Sequence, residues 1–361
     1  MRRKSRQIQI GGVKVGGGAP VSIQTMAKSS SEDVPAIVEE LSAARAAGCD
    51  IARLAVPDLK AVDTIEAVKE GSGLPVIADV HFDYRLAVEA ARRGADALRV
   101  NPGNLGGEDA LAAVVDAAGS AGIPIRVGVN AGSLPKSGGL PAEQTAENMV
   151  AAAIEMVEDT RKLGFDDIKV SLKAFDVMTT VEANRKFAAR SDLPLHLGVT
   201  EAGPPLGGSV RSSVALGMLL AEGIGDTLRI SLSAEPRLEV RAARHLLACL
   251  GLRKAGVVVS CPTCGRKNSE VITLAEKVEG VLERLDLDLV VAVMGCEVNG
   301  PGEARAADIG VAFGPNGQGL MFEGGRIIGR HSNEDLFEVL TKRLEYIGRE
   351  GGHGLEADPQ L

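Results

Sequence analysis

Positive charge is not in excess in this chain, cysteine is scarce, and no uncharged apolar run reaches the length of a membrane span. The net charge of −8 carries no polyanion-binding signature, so no nucleic-acid partner is expected. Five cysteines with a single close pair fit a reducing compartment better than a disulfide framework. The N-terminus Met1-Arg2-Arg3-Lys4 is basic, but no apolar h-region follows it, which argues against a secretory signal. Low-complexity runs and short repeats are missing as well. Gly314–Gly319 lacks the Lys-Ser/Thr of a phosphate loop and reads as a hairpin turn. These absences point to a soluble cytoplasmic protein that binds neither membrane nor nucleic acid.

What is present is a repeated unit. The 361 residues, 45% of them hydrophobic, suffice for one large domain and a smaller one. Short apolar strands at Val21–Met26, Ile51–Val56, Pro75–Val80, Ala97–Pro102, Pro124–Val129, Asp167–Leu172, Pro194–Thr200 and Thr227–Ser233 alternate with helical patterns. Eight βα units in succession predict a (β/α)8 TIM-type barrel over residues 1–254, with a doubly wound open sheet as the runner-up. Val34, Ile37, Val38 and Leu41 have the spacing of an amphipathic helix, and Ser233-Ala-Glu-Pro236 reads as a capped helix start. Residues 255–361 follow a different rhythm, that of a small α+β domain. Its expected strands are Val257–Ser260, Leu289–Met294, Ile309–Phe313 and Arg326–Gly329, with helices near Val271–Arg284 and Asn333–Tyr346. The tail from about residue 351 is expected to be disordered. This second segment holds 10 Lys and Arg against 17 Asp and Glu, which leaves 30 against 31 in the first 254 residues.

Strand alternation puts the polar residues of the barrel in one phase. Arg53, Asp79, His81, Arg99, Asn101, Arg126, Asn130, Lys169, Ser171, Lys173, His196, Thr200, Arg229 and Ser231 face inward, while the apolar residues between them face the helices. Arg53, Arg99, Arg126, Lys173 and Arg229 outnumber Asp79 and Glu201. Buried charge of one sign needs ion pairs or an anionic ligand. Arginine's planar fork suits phosphate oxygens, so a small phosphate or diphosphate ester is the expected guest, unless internal ion pairs neutralise the interior. Glu201 reads either as a proton donor whose pKa is raised by enclosure or as a counter-ion. Asp79 and His81 share a strand end, where one can orient the other. His196 suits a core histidine and a ligand-binding one equally. Gly207-Gly208-Ser209 offers backbone donors or a plain turn. Cys49 and Cys249 read as buried structural residues.

The remaining cysteines form the most informative motif. Cys261-Pro-Thr-Cys264 is followed 32 residues later by Cys296-Glu-Val-Asn-Gly-Pro-Gly-Glu303. Three thiolates with one non-cysteine position suit an iron–sulfur cluster that acts on a substrate. A structural zinc knuckle also begins with a close cysteine pair, and on these residues alone the two stand level.

Taken with Arg53-Leu-Ala-Val-Pro, Asp79-Val-His81-Phe, Arg99-Val-Asn101-Pro-Gly-Asn, Arg126-Val-Gly-Val-Asn130, Ser171-Leu-Lys173, Thr200-Glu201-Ala-Gly and Arg229-Ile-Ser231, the cysteine motifs resemble those of the 4-hydroxy-3-methylbut-2-enyl diphosphate synthase family (IspG, or GcpE) in its two-domain bacterial form. The resemblance covers essentially the whole chain. It implies a 4Fe–4S cluster on Cys261, Cys264, Cys296 and Glu303, and makes the second segment an iron–sulfur domain. It implies reductive ring opening of 2-C-methyl-D-erythritol 2,4-cyclodiphosphate in the non-mevalonate isoprenoid pathway, with flavodoxin or ferredoxin as electron donor and a head-to-tail homodimer. Arg53, Arg99, Arg126, Lys173 and Arg229, with Asn101, Asn130, Thr200 and Ser231, would hold the substrate, and Glu201, Asp79 and His81 would be the catalytic groups. Glu297 stands where the family pattern has an apolar residue, so a second carboxylate follows Cys296. The alternative is a non-redox, pterin-type barrel transferase with a zinc knuckle. A pure electron-transfer module would not need the cationic barrel.

Overall fold

Ile8-Gln-Ile-Gly-Gly-Val-Lys-Val15 alternates apolar and polar residues about a Gly-Gly step, and it folds as a hairpin. Strand β1 (Ile8–Ile10) pairs antiparallel with β2 (Val13–Val15). Gly11 turns the chain at φ 52, where a Cβ would lie 2.9 Å from Pro75 and 3.0 Å from Asp96. Ile8, Ile10 and Val15 pack on Ile51, Ile77 and Ala97, which closes the N-terminal end of the barrel. The strand pattern expected from sequence begins at Val21 and omits this hairpin. Its period-two alternation was the available signal.

The structure, a computed structural model, describes residues 2–101, 106–134, 145–261, 271–296 and 307–349. The chain divides into two units, Met1–Arg253 and Lys254–Leu361. In the first, β3 (Ser22–Met26), β4 (Ile51–Ala55), β5 (Val76–Asp79), β6 (Ala97–Val100), β7 (Ile125–Asn130), β8 (Ile168–Lys173), β9 (His196–Leu197) and β10 (Thr227–Leu228) form one parallel sheet. Its order is β8-β7-β6-β5-β4-β3-β10-β9, and a bridge between Val170 and Leu195 joins the two ends into a ring. The open-sheet alternative is thereby excluded. All eight expected strands are present, but β9 and β10 are shorter than their runs. Beyond them single contacts continue, from Arg229 N to Leu197 O at 3.0 Å and from Thr200 N to Ala174 O at 3.1 Å. Lys173 packs against the backbone there, since a Cβ at Gly198 would lie 2.6 Å from Lys173 Nζ.

Amphipathic helices cover the ring. In Val34–Ala46 the buried Ile37 and Leu41 face the strands, and the Asp33 side chain caps the start by accepting from Ala36 N. The helix Pro236–Cys249 starts after Glu235, so Ser233 is not its cap; Ser233 N instead donates to Gly203 O at 3.0 Å. Cys49 is buried as expected, in the turn ahead of β4, whereas Cys249 at the end of the helix Pro236–Cys249 is exposed, which corrects its reading as a buried residue. No helix among the described residues is long and apolar enough to cross a membrane.

The second unit is a five-stranded sheet of β11 (Val257–Ser260), β12 (Val290–Met294), β13 (Ile309–Ala312), β14 (Gln318–Glu323) and β15 (Arg326–Ser332), paired in sequence order. The first three strands are parallel and the last two pairings antiparallel. Strand β14 was not expected from sequence; the turn at Pro315–Gly317, with Asn316 at φ 59, joins it to β13. Helices Val271–Arg284 and Leu336–Arg349 share a core with Val291, Val293, Ile309 and Val311. The tail from residue 351 lies outside the described residues.

Candidate active site

Carrying the parallel register around the ring sorts the inward side chains into layers supplied by alternate strands. Lowest are Ile51, Ala97, Lys169 and Thr227, then Gln24, Ile77, Arg126 and His196. Arg53, Arg99, Ser171 and Arg229 lie above them. The next layer pairs Met26 and Asp79 with two glycines, Gly128 and Gly198. A Cβ at Gly128 would meet Arg99 Nε at 3.2 Å, so the missing side chains leave space that Arg99 and Lys173 enter. Ala55, Asn101, Lys173 and Ser231 form the uppermost complete layer, at the C-terminal strand ends where barrel enzymes bind their substrates.

Three charged assemblies occupy this interior. In the first, Asp79 sits between Arg99, whose Nη1 is 3.1 Å from Oδ1, and Arg53, whose Nε is 3.5 Å from Oδ2. His81 Nε2 lies 3.6 Å from Asp79 Oδ2 and 2.8 Å from Arg99 Nη1, so the expected Asp79–His81 proximity is present with Arg99 as a third member. Burial by itself would raise the Asp79 carboxyl, but Arg53, the His81 hydrogen bond and Arg99 hold it well below the usual carboxylate range. Arg53 is lowered to about 10 by burial, against the pull of Asp79.

In the second assembly, the buried Glu239 comes in from the helix Pro236–Cys249. Its oxygens accept from Arg229 Nε at 3.0 Å and Arg229 Nη2 at 3.1 Å, a bidentate pair. They also accept from Thr25 Oγ1 at 2.8 Å and Leu232 N at 3.0 Å, with Lys28 Nζ at 3.0 Å. Burial opposes the Glu239 charge, and Arg229 outweighs it, so the carboxyl lies below its ordinary range. Met26 links the two assemblies: Arg53 Nη2 lies 2.9 Å and Arg229 Nη1 3.6 Å from its Sδ. Sequence reasoning missed Glu239, Lys28 and Met26; a glutamate on an amphipathic helix reads as a solvent residue until the fold turns it inward.

The third assembly, on β7 and β8, has no carboxylate. Arg126 Nε donates to Ser171 Oγ at 3.0 Å, and neither Arg126 nor Lys173 has an acidic partner among the described residues. Burial, reinforced by the neighbouring arginines, pushes both well below their ordinary pKa values. The interior is therefore only partly neutralised by its own ion pairs. Asn101 is buried, with no partner for Oδ1 among the described residues, while Asn130, Thr200 and Ser231 are half-buried around the mouth. Glu201 follows β9 in the left-handed region at φ 52, a strained conformation for a non-glycine residue. Its side chain is exposed, so the described residues of the barrel do not supply the enclosure expected from sequence. Gly207 and Gly208 fall within the first turn of the helix Pro205–Ala221.

In the second unit Cys261 directly follows β11 and Cys296 lies two residues past β12, its parallel neighbour. Gly295 N donates to Cys261 Sγ at 3.2 Å. Two half-buried thiols at adjacent strand ends, one already receiving an N–H, suit a metal–sulfur centre. Cys264, Glu297 and Glu303 lie outside the described residues.

Residues 5–244 match the GcpE TIM-barrel domain, and residues 257–346 match the GcpE protein C-terminal domain. The chain belongs to the GcpE family. Among its GcpE relatives are the 4-hydroxy-3-methylbut-2-en-1-yl diphosphate synthase (flavodoxin) of Desulfotalea psychrophila, 49% identical over 97% of both chains, and that of Geobacter sulfurreducens, 49% identical over 96% of this chain and 99% of the relative. Outside the GcpE family, the barrel resembles Yersinia pestis dihydropteroate synthase with a TM-score of 0.52 at 12% identity, over 68% of this chain and 97% of that one. At that identity the likeness concerns the fold alone.

Proposed function

We propose that the barrel cavity binds 2-C-methyl-D-erythritol 2,4-cyclodiphosphate and that the second unit carries a 4Fe–4S cluster on Cys261, Cys264, Cys296 and Glu303. The chain is an oxidoreductase that makes 4-hydroxy-3-methylbut-2-en-1-yl diphosphate in the non-mevalonate isoprenoid pathway, as its near full-length relatives do. The pterin-type transferase with a zinc knuckle is not favoured. The observation that carries the substrate assignment is the β7–β8 cation group, Arg126 and Lys173, buried without an acidic partner among the described residues.

In this reading the diphosphate supplies the missing negative charge. Arg126 and Lys173 bind it directly. Arg53, Arg99 and Arg229 reach it from positions fixed by Asp79 and Glu239, so their guanidinium planes are oriented before the substrate arrives. Asn101, Asn130, Thr200 and Ser231 at the mouth would hydrogen-bond the diphosphate or the sugar hydroxyls. The cluster would supply the two electrons that the ring opening consumes, one at a time from flavodoxin or ferredoxin. Glu201 protonates the oxygen that leaves as water, and His81, linked to Asp79, is the second proton-handling group. The head-to-tail homodimer belongs to the same reading, and light scattering of the purified protein checks it.

The test is anaerobic turnover of the cyclodiphosphate with a chemical reductant. The wild-type protein should be brown and active, and Glu201→Gln should lose about 10²-fold or more in rate while keeping its colour. A colourless protein with stoichiometric zinc would sink the cluster assignment.

A further inference from the structure

Beneath the proposed diphosphate cavity, the two lowest barrel layers contain a polar group of which the function above uses only Arg126. Lys169 is fully buried and its Nζ has no hydrogen-bond partner among the described residues. His196 is equally buried, with neither ring nitrogen partnered among the described residues. Arg126 Nη1, both amide atoms of Gln24 and Thr227 Oγ1 are in the same condition. The register brings these atoms together. Lys169 is the pairing partner of Arg126, His196 is the partner of Thr227, and the Val170–Leu195 bridge places Lys169 and His196 on neighbouring strands. On the other side of the same two layers are Ile51, Ile77 and Ala97, closed from below by Ile8, Ile10 and Val15. This polar group is a sealed half-floor.

The chemistry of the group is unbalanced. An ammonium offers three donors and no acceptor, and an arginine terminal nitrogen offers donors only. Gln24, Thr227 and one His196 nitrogen contribute the few acceptors. Ordered water needs both kinds of partner, whereas an anion needs donors and positive charge. No carboxylate forms an ion pair with Lys169 among the described residues. Burial, with Arg126 and Arg53 close by, pushes the Lys169 amine well below the usual lysine range, against the weaker pull of Asp226, whose carboxylate is itself paired with Arg2 and Arg3. A lysine in that setting keeps its proton only beside a counter-ion.

The geometry points to a second anion site, on the barrel floor, where Lys169, Arg126, His196, Gln24 and Thr227 hold one small inorganic monoanion of the halide class. A halide, the smallest class of monoanion, is favoured because the surrounding side chains are closed to solvent and Lys169 has no ion-paired carboxylate among the described residues. A diphosphate in the cavity above uses Arg126 from its other face, and the floor site does not depend on which ester that is. The anion would fix the lower ends of Arg126 and Lys169, and so set the depth to which the cavity above is open.

The probe is bromide. Crystals of the full chain grown with bromide and inorganic pyrophosphate, with data collected at the bromine absorption edge, should show an anomalous peak against Lys169 Nζ. The pyrophosphate fills the upper cavity, so a peak that persists belongs to the floor. The same peak should be lost in Lys169→Met, which keeps an unbranched apolar stem and removes the ammonium. In solution, bromide should raise the unfolding midpoint of the wild-type chain by a few degrees more than acetate at equal ionic strength, and should not do so in the variant. A floor without a peak, a peak displaced by pyrophosphate, or one present only at molar bromide overturns the proposal. If Lys169→Met does not fold, the wild-type peak and the bromide–acetate difference decide the matter. Failure of the cyclodiphosphate assignment would appear as loss of turnover and leaves both readouts unchanged.

Discussion

On the side of the barrel built by β4, β5 and β6, two arginines share one carboxylate: Arg53 and Arg99 flank Asp79. On the side built by β7 and β8, Arg126, Lys169 and Lys173 are buried as deeply and have no acidic partner among the described residues. The difference separates two uses of buried charge. A cation tied to a carboxylate has a fixed direction and little remaining charge to offer, so it orients. A cation without one retains its demand for an anion, so it binds. Arg229, held by Glu239, belongs to the first kind although it stands on β10.

The largest expected effect comes from breaking the paired side. Asp79→Asn leaves Arg53 and Arg99 facing each other without a counter-charge and should cost about 3–5 kcal/mol of stability, read by denaturant unfolding. The pH dependence carries the same sign. Asp79 is held below its unfolded value, so its contribution is complete above an unfolded pKa of about 3.9 and is lost as pH falls towards its folded value. The difference between wild type and Asp79→Asn should therefore be constant from neutral pH down to about 5 and shrink below about 4. A difference that grew on acidification would show that Asp79 is not the ionised centre of this group.

Glu239→Gln should have the next largest effect. The amide keeps the shape and one acceptor but leaves Arg229 and Lys28 short of a counter-charge, at a cost of about 2–3 kcal/mol. Because Glu239 positions Arg229 rather than meeting the substrate, KM should rise more than kcat falls. An equal loss in both would place Glu239 in the chemistry instead.

These two carboxylates also mark how far the sequence could be read. The eight βα units, the inward phase of Arg53, Arg99, Arg126, Lys173 and Arg229, and the closeness of Asp79 to His81 follow from strand alternation and spacing, which are local properties. Glu239 was not legible, because its partners Thr25, Lys28 and Arg229 come together only when the ring closes between β3 and β10. The N-terminal hairpin was legible too, in the local alternation of Ile8, Ile10, Val13 and Val15 about Gly11-Gly12, although it lies outside the repeated βα units. Lys169 was placed in the correct phase, but its isolation depends on which layer it occupies, and layers follow from register. Glu201 was placed correctly at a strand end, while its exposure reflects the left-handed turn there, which no periodicity reveals.

On the unpaired side the same logic predicts the opposite response. Arg126→Met removes a buried cation that has no acidic partner, so stability should hold or rise slightly. Substrate binding should weaken about tenfold to a hundredfold, the worth of a charge-assisted hydrogen bond to phosphate. Loss of stability without loss of binding would erase the distinction between the two sides and would show that Arg126 is neutralised within the protein.

The smallest effect tests whether burial, rather than pairing as such, sets this scale. Adjacent residues of the helix Leu336–Arg349 provide the contrast. Arg343 is buried and bound in bidentate fashion to Glu323, at 3.0 and 2.8 Å. Lys342 beside it is exposed and pairs with Glu338 at 2.6 Å. The shorter ion pair should matter less, because water screens it and both long side chains lose freedom in forming it. Lys342→Ala should leave the unfolding midpoint unchanged within error and Arg343→Ala should lower it clearly. A comparable loss in both would mean that close geometry alone stabilises an ion pair here. Asp79 and Glu239 would then owe their importance to contact distance rather than to the closed interior of the barrel.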